Sequence, residues 1–241
     1  MPRDVFIFLP AYNVGKTLHE VLSKVSPAMY ARSQVLVIDD GSKEPVALEP
    51  FDGEGAWQIL CHRFENNQGY GAVVKFGLAA GLAAGAKYIA CLHGDGQYPA
   101  EKLDEFIAEM ERRDCSARGL ALLQGSRHAV AGGARRGGMP LYKRLGGAFL
   151  TALENVAFKQ KLTDRHSGYI VYNAEFLKTL DLEKLSPSFD IDLEIISIAD
   201  ARGWRLAELP IPTRYAGEKS NLNVVTYGLR VLWQVVRRFF R

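Results

Sequence analysis

Residues 93–99 read His-Gly-Asp-Gly-Gln-Tyr-Pro. They follow the apolar run 88–92, which has the length and composition of a buried strand. Such a strand delivers the carboxylate of Asp95 and the amide oxygen of Gln97 into a turn rich in Gly and Pro. Hard oxygen ligands on a loop suit Mg²⁺ or Mn²⁺. An ion held there could clamp a diphosphate. The same residues also fit an ordinary surface turn.

Three other polar segments carry comparable chemistry. Asp39 and Asp40 close the apolar run 35–38. Adjacent carboxylates there could take a ribose hydroxyl, a base N–H or a metal, or serve as an Asx turn or helix cap. Asn67-Gln68-Gly69-Tyr70-Gly71 opens a helix-patterned stretch. Gly69 and Gly71 could let a diphosphate approach the backbone at a helix N-terminus. Arg127 follows the strand-like run 120–124, and its planar fork suits phosphate oxygens. Several classes are disfavoured. No Walker A loop is present, and no Gly-x-Gly-x-x-Gly follows the first strand. The five histidines show no zinc spacing. No Gly-x-Ser-x-Gly elbow occurs.

These loops need elements to position them. Apolar runs at 5–9, 35–38, 57–61, 88–92 and 120–124 alternate with helical patterns at 17–25, 71–84 and 100–112. That alternation predicts parallel βαβ units in a doubly wound sheet, with ligands bound beyond the carboxyl ends of the strands. Loops 10–13, 39–42, 66–71 and 93–97 then share one rim. Further on, 130–138 reads as a mobile Gly-rich loop and 141–158 as a helix. Strands are expected over 167–173 and 205–211, with a helix between them over 191–202. Residues 214–223 form a polar, basic loop and the last stretch is helical.

The 241 residues, 48% hydrophobic, suit one α/β domain over 1–222 followed by a helix over 223–241. A net charge of +3 does not call for nucleic acid. Three scattered cysteines point to a reducing cytosol. No signal peptide and no spanning segment is read. The terminal segment has four Arg and no acid. Arg230, Gln234, Arg237 and Arg241 share one helical face; Val225, Leu229, Leu232, Val236 and Phe239 form the other, with Trp233 at the boundary. This reads as a helix lying on an anionic membrane surface, or as a terminal helix packed on the core.

Taken together the motifs resemble family 2 glycosyltransferases of the GT-A fold. The resemblance is greatest to the dolichyl-phosphate mannosyltransferase-like branch, which includes polyprenyl-phosphate glycosyltransferases. It is carried by Leu9-Pro10-Ala11-Tyr12-Asn13, Val37-Ile38-Asp39-Asp40-Gly41-Ser42, Asn67 to Gly71, His93 to Pro99, Gly125-Ser126-Arg127, Asp164 to Tyr169, Phe189 to Glu194 and Arg214 to Ser220. Three positions depart from the family pattern. Val14 stands where Glu is usual, Tyr70 where Lys or Arg is frequent, and His93 replaces the first Asp of the metal motif.

The resemblance implies an inverting transfer from a nucleotide-diphosphate sugar, UDP- or GDP-linked. Pro10, Ala11, Tyr12, Asn13, Asp39, Asp40, Gly69, Gly71 and Asp95 would hold the donor. Mg²⁺ or Mn²⁺ at Asp95 and Gln97, with His93 as a possible third ligand, would neutralise the leaving group while Arg214 and Lys219 close over it. A polyprenyl-phosphate acceptor needs no base, only cations such as Arg127, Lys143 and Arg144. A saccharide hydroxyl would need a base, for which Asp164 and Asp192 are candidates. The enzyme would sit peripherally on the cytoplasmic membrane face. A catalytically degenerate sugar-nucleotide binder is the alternative.

Overall fold

The computed structural model describes residues 3–15, 17–48, 59–114, 119–130, 135, 138–158, 161–212 and 224–238. Within them one sheet holds β1 (Val5–Ala11), β2 (Ser33–Asp39), β3 (Ile59–Arg63), β4 (Tyr88–Cys91), β5 (Leu120–Ser126), β6 (Ile170–Asn173) and β7 (Arg205–Pro210). The order is β3-β2-β1-β4-β6-β5-β7. All pairings are parallel except those of β6, which runs antiparallel to β4 and β5. The expected strand over 167–173 starts later, at Ile170. Ser167 and Gly168 instead bond to the side chains of Gln124 and Tyr98.

The helices are α1 (Thr17–Ser23), α2 (Pro27–Arg32), α3 (Tyr70–Ala83), α4 (Leu103–Arg113), α5 (Leu141–Phe158), α6 (Ala174–Leu177), α7 (Ile191–Ala201) and α8 (Val224–Arg238). Period-two geometry explains the central strand. Val5, Ile7 and Leu9 point to one face and pack with Leu18 and Leu22 of α1, Met29 of α2 and Phe106 of α4. Phe6 and Phe8 point to the other and pack with Val74 and Leu78 of α3 and Ile195 of α7. A strand buried on both faces reads as an unbroken apolar run.

From β1 the chain winds outward through β2 and β3, then returns to β4 on the other side of β1. β1 and β4 therefore flank the switch point where such sheets open a crevice. The carboxyl ends of β1 to β5 and of β7, and the amino end of β6, all lie along this edge. Loops 10–13, 40–42, 64–69, 92–99, 127–130 and 161–169 consequently share one rim.

Helix α8 packs on α5 and α7, burying Val231 and Val235 with Leu193. Gln234 was expected on the solvated Arg face. It is buried, because its Nε2 donates to Asp190 Oδ2 (3.2 Å) while Arg230 donates to Oδ1 (3.1 Å). The outward face of α8 instead carries Arg230 with Leu232, Trp233 and Val236. The side chains of Val225, Leu229, Arg237, Phe239 and Arg241 lie outside the described residues. No helix among the described residues is long and apolar enough to cross a membrane.

Glycine contacts give a direct test of this packing. A Cβ on Gly71 would collide with the backbone of Pro187 and Ser188, whereas one on Gly146 of α5 would meet nothing within 4 Å. Gly71→Ala should lower unfolding free energy by about 1–3 kcal/mol in urea titrations. Gly146→Ala should be neutral, or stabilising by up to about 1 kcal/mol.

Candidate active site

Backbone bonds lace the rim together. Asp40 N–H donates to Ala11 O (2.8 Å) and Gly94 N–H to Pro10 O (3.1 Å). Asn13, at φ 54°, donates its N–H to Ser42 Oγ (2.9 Å), and its Oδ1 accepts from Lys43 N–H (3.0 Å). The loops after β1, β2 and β4 are thus one unit. Ala11 is buried in its floor. Tyr12 stands 39% exposed on it, a free aromatic face at the rim.

Asp39 and Asp40 serve this framework. Asp39 accepts from the N–H groups of Ser42 (2.9 Å) and Val46 (3.2 Å) and pairs with Arg63 (2.6 Å). Burial pushes its pKa up, but these donors outweigh burial and hold it low. Asp40 accepts from the N–H groups of Gln68 (2.7 Å) and Gly69 (3.1 Å). Its carboxylate therefore occupies the seat ahead of α3 that the glycines had suggested for a diphosphate. Gly71 faces the backbone of Pro187 and Ser188, and its missing side chain serves close packing there. These bonds have the form of an Asx turn at Asp39 and a cap ahead of α3 at Asp40.

At the switch point, Asp95 Oδ1 accepts from Gln97 N–H (3.0 Å), closing the loop as an Asx turn around Gly96 at φ 75°. Beside it, His93 Nε2 lies 3.3 Å from Tyr70 Oη, and Tyr70 donates to Asp192 Oδ2 (2.8 Å). Tyr172, a residue the motifs did not single out, donates to Asp192 Oδ1 (2.8 Å). A buried tyrosine in a strand needs a partner for its hydroxyl, and that is the signal that could have found it. Burial raises the Asp192 pKa, with the two tyrosines and His93 acting against it.

Asp164 is buried and gripped by Arg127, whose Nε reaches Oδ2 (2.6 Å) and Nη2 reaches Oδ1 (2.9 Å). Burial raises its pKa, but the guanidinium prevails and holds it at about 2. So low a value makes a poor general base. Arg127 is turned onto this partner and also donates from Nη2 to His166 O (3.0 Å). Nearby, His166 Nε2 lies 3.4 Å from Glu154 Oε2 of α5. Burial pushes Glu154 up to about 8, against the pull of Arg165, and pushes His166 down to about 4. This contact is accordingly one between a neutral acid and a neutral imidazole, not an ion pair. Arg144 sits half-buried on α5. The side chain of Lys143, and Arg214 and Lys219 altogether, lie outside the described residues.

Among the described residues no group of three or more His, Cys, Asp or Glu is arranged to hold a metal. The Asp95 loop offers one carboxylate and one amide. That set fits an ion of the Mg²⁺ or Mn²⁺ type, bound through one or two carboxylates and completed by water and substrate phosphate.

The mostly parallel sheet opens a switch-point crevice with Asp95 and Tyr12 on its rim, the architecture of the GT-A fold. The profile of Glycosyl transferase family 2 matches residues 6–180, and the chain belongs to that family; it is a glycosyltransferase. Undecaprenyl-phosphate mannosyltransferase of Micrococcus luteus is 25% identical over 255 residues, 97% of each chain. The UDP-N-acetylglucosamine–dolichyl-phosphate N-acetylglucosaminyltransferase of Methanococcus voltae is 22% identical over 229 residues, 88% of this chain and 86% of that one. Dolichyl-phosphate hexose transferase of Haloferax volcanii is 24% identical over 97% of this chain and 93% of the relative. Among solved structures, glucosyl-3-phosphoglycerate synthase of Mycobacterium tuberculosis, with Mn²⁺, UDP and phosphoglyceric acid, superposes with a TM-score of 0.63 at 16% identity. The match covers 98% of this chain and 78% of that one.

The Asp164–Arg127 pair makes stability depend on acid. A carboxyl held at about 2 instead of 3.8 stabilises the fold fully above pH 4, and that contribution fades as pH falls toward 2. Asp164→Asn should cost at least about 2 kcal/mol at pH 7, with the gap to wild type narrowing below pH 4. Urea melts at both pH values check this.

Proposed function

We propose that the enzyme transfers a sugar, with inversion, from a UDP- or GDP-sugar to a polyprenyl phosphate at the membrane surface. The observation that carries the acceptor is the state of its carboxylates. Asp164 and Asp192 are the candidate bases for a hydroxyl acceptor. Each has both oxygens engaged, one by Arg127 and the other by Tyr70 and Tyr172. A phosphate acceptor is already anionic and needs no base. The names of the polyprenyl- and dolichyl-phosphate relatives support the same reading.

Tyr12, exposed on the laced rim, would stack the nucleobase, with Pro10, Ala11 and Asn13 shaping the seat. Asp95 and Gln97 would hold the divalent ion, which when bound neutralises charge on the departing diphosphate. Arg214 and Lys219 would close the basic loop after β7, and Lys143 and Arg144 would guide the acceptor phosphate. No nucleic acid enters this reading.

Two helices support the membrane. On α5, Leu141, Leu145, Phe149 and Val156 are all more than 60% exposed and recur along one side of the helix. On the adjoining α8, Leu232, Trp233 and Val236 are exposed too. The single acid of the pair, Glu154, is fully buried, while Lys143, Arg144, Arg230, Arg237 and Arg238 are basic. An apolar stripe among basic residues suits the cytoplasmic, anionic leaflet.

Donor binding and lipid binding test the two halves separately. Asp95→Ala should abolish Mn²⁺-dependent UDP binding in calorimetry while leaving the thermal transition intact; unchanged metal dependence would show the assignment to be wrong. Flotation with vesicles of phosphatidylglycerol should rise with anionic content and fall with salt. The Phe149→Glu, Trp233→Glu double variant should lose flotation yet retain donor hydrolysis. Transfer to a soluble hydroxyl without vesicle binding would overturn the acceptor assignment.

A further inference from the structure

The buried face of α8 carries an amide among its valines. Val231 and Val235 pack with Leu193 of α7, and Gln234 is buried beside them. Its Nε2 donates to Asp190 Oδ2 (3.2 Å), while its Oε1 has no hydrogen bond among the described residues. An apolar side chain would serve packing without an unmet oxygen. A buried amide that costs stability in this way is a device for fixing register between helices.

Asp190 is where that register is passed on. It stands immediately before α7 and is itself buried. Its Oδ1 accepts from Arg230 of α8 (3.1 Å) and from Ser186 Oγ (2.7 Å). Ser186 Oγ also accepts from Ser188 N–H (3.2 Å), and Ser186 N–H donates to Glu194 Oε2 (2.8 Å). One carboxylate thus ties α8 to a closed turn over 186–194. The other side of this turn is a wall of the candidate site. The backbone of Ser186 to Ser188 lies against Gly71. Phe189 stacks on Tyr70, with centroids 5.4 Å apart and planes at 10°. Asp192 accepts from Tyr70 Oη (2.8 Å), which lies 3.3 Å from His93 Nε2.

We propose that Asp190 is a positioning residue, and that α8, through Gln234 and Arg230, braces the 186–194 wall so that Tyr70 and Asp192 keep their places beside the loops after β3 and β4. Helix α8 is then part of the catalytic body, and its outer face alone is given to the membrane. This rests on the reading that the crevice beside Tyr70 and His93 binds the donor. The base seat at Tyr12 is built by the loops after β1 and β2, so the brace governs turnover and leaves nucleotide affinity alone.

The full-length protein tests this without disturbing the outer face of α8. Gln234→Met keeps the side-chain volume and removes the donor; Asp190→Ala removes the acceptor. Either should lower kcat for hydrolysis of UDP-glucose or GDP-mannose, whichever the wild type turns over, roughly tenfold to a hundredfold. The Kd of the matching nucleotide and flotation with vesicles should not change. Asp190→Asn should recover most of the rate, because it still accepts at Oδ1 and its amide donates to Gln234 Oε1 once that side chain turns over. Either of the first two variants suffices if the other does not fold. A second readout needs no turnover. With 3-fluorotyrosine incorporated, the ¹⁹F resonance of Tyr70, assigned with Tyr70→Phe, should shift or broaden in Gln234→Met. That of Tyr30, buried on the opposite face of the sheet, should stay.

Full turnover in Gln234→Met overturns the proposal, and so does a Tyr70 resonance that does not move. Wild-type protein that binds neither UDP nor GDP refutes the donor reading instead; the Tyr70 resonance then still decides whether α8 braces the wall.

Discussion

The placement of β1 between β2 and β4 is the constraint from which the site follows. Because the chain leaves β1 in one direction and returns on the other side, the loops after β1 and β4 part at the sheet edge. Backbone bonds from Asp40 to Ala11 and from Gly94 to Pro10 then tie the diverging loops into one rim. The sheet is covered by helices on both faces, so the open edge is where polar groups can meet solvent or ligand. Among the carboxylates gathered there, Asp39, Asp40, Asp164 and Asp192 are each engaged at both oxygens or by paired donors. Asp95 differs: among the described residues its carboxylate accepts at Oδ1, from Gln97 N–H within its own turn.

Most of the framework was legible because it is written in periodicity. β1 and β4 are continuous apolar runs, and α5 was bounded at Leu141 and Phe158 from its pattern alone. The missed α2 shows what a short element lacks. Six residues give no period, although Ser26 capping Met29 N–H (3.0 Å) and Pro27 at the first turn are local start signals. The facing of α8 failed for a different reason. A helical wheel sorts residues by polarity, whereas Gln234 turns inward to meet Asp190, forty-four residues earlier in the chain.

The same limit governed the site. Loop position brought Asp95 and His93 to one edge, and the family resemblance added Asp164 and Asp192. They did not reveal which carboxylates were already answered, since that depends on partners remote in sequence. Arg127 is drawn to Asp164, thirty-seven positions away, and Asp192 to Tyr70, one hundred and twenty-two away. Local spacing carries no trace of such pairs. Tyr172 lay unnoticed inside a strand whose apolar neighbours masked its hydroxyl.

One feature of α5 reaches beyond the site. The helix shows an apolar stripe to the outside and turns Glu154 inward, where burial raises its pKa to about 8. In the unfolded chain that carboxyl ionises near 4.5. At neutral pH the native protein therefore retains a proton that the unfolded chain releases, and folding is coupled to proton uptake. The grip of α5 on the body weakens as pH rises between those two values. A helix with an apolar stripe on its outer side thus carries, on its inner side, a contact that loosens as pH rises from about 4.5 to about 8.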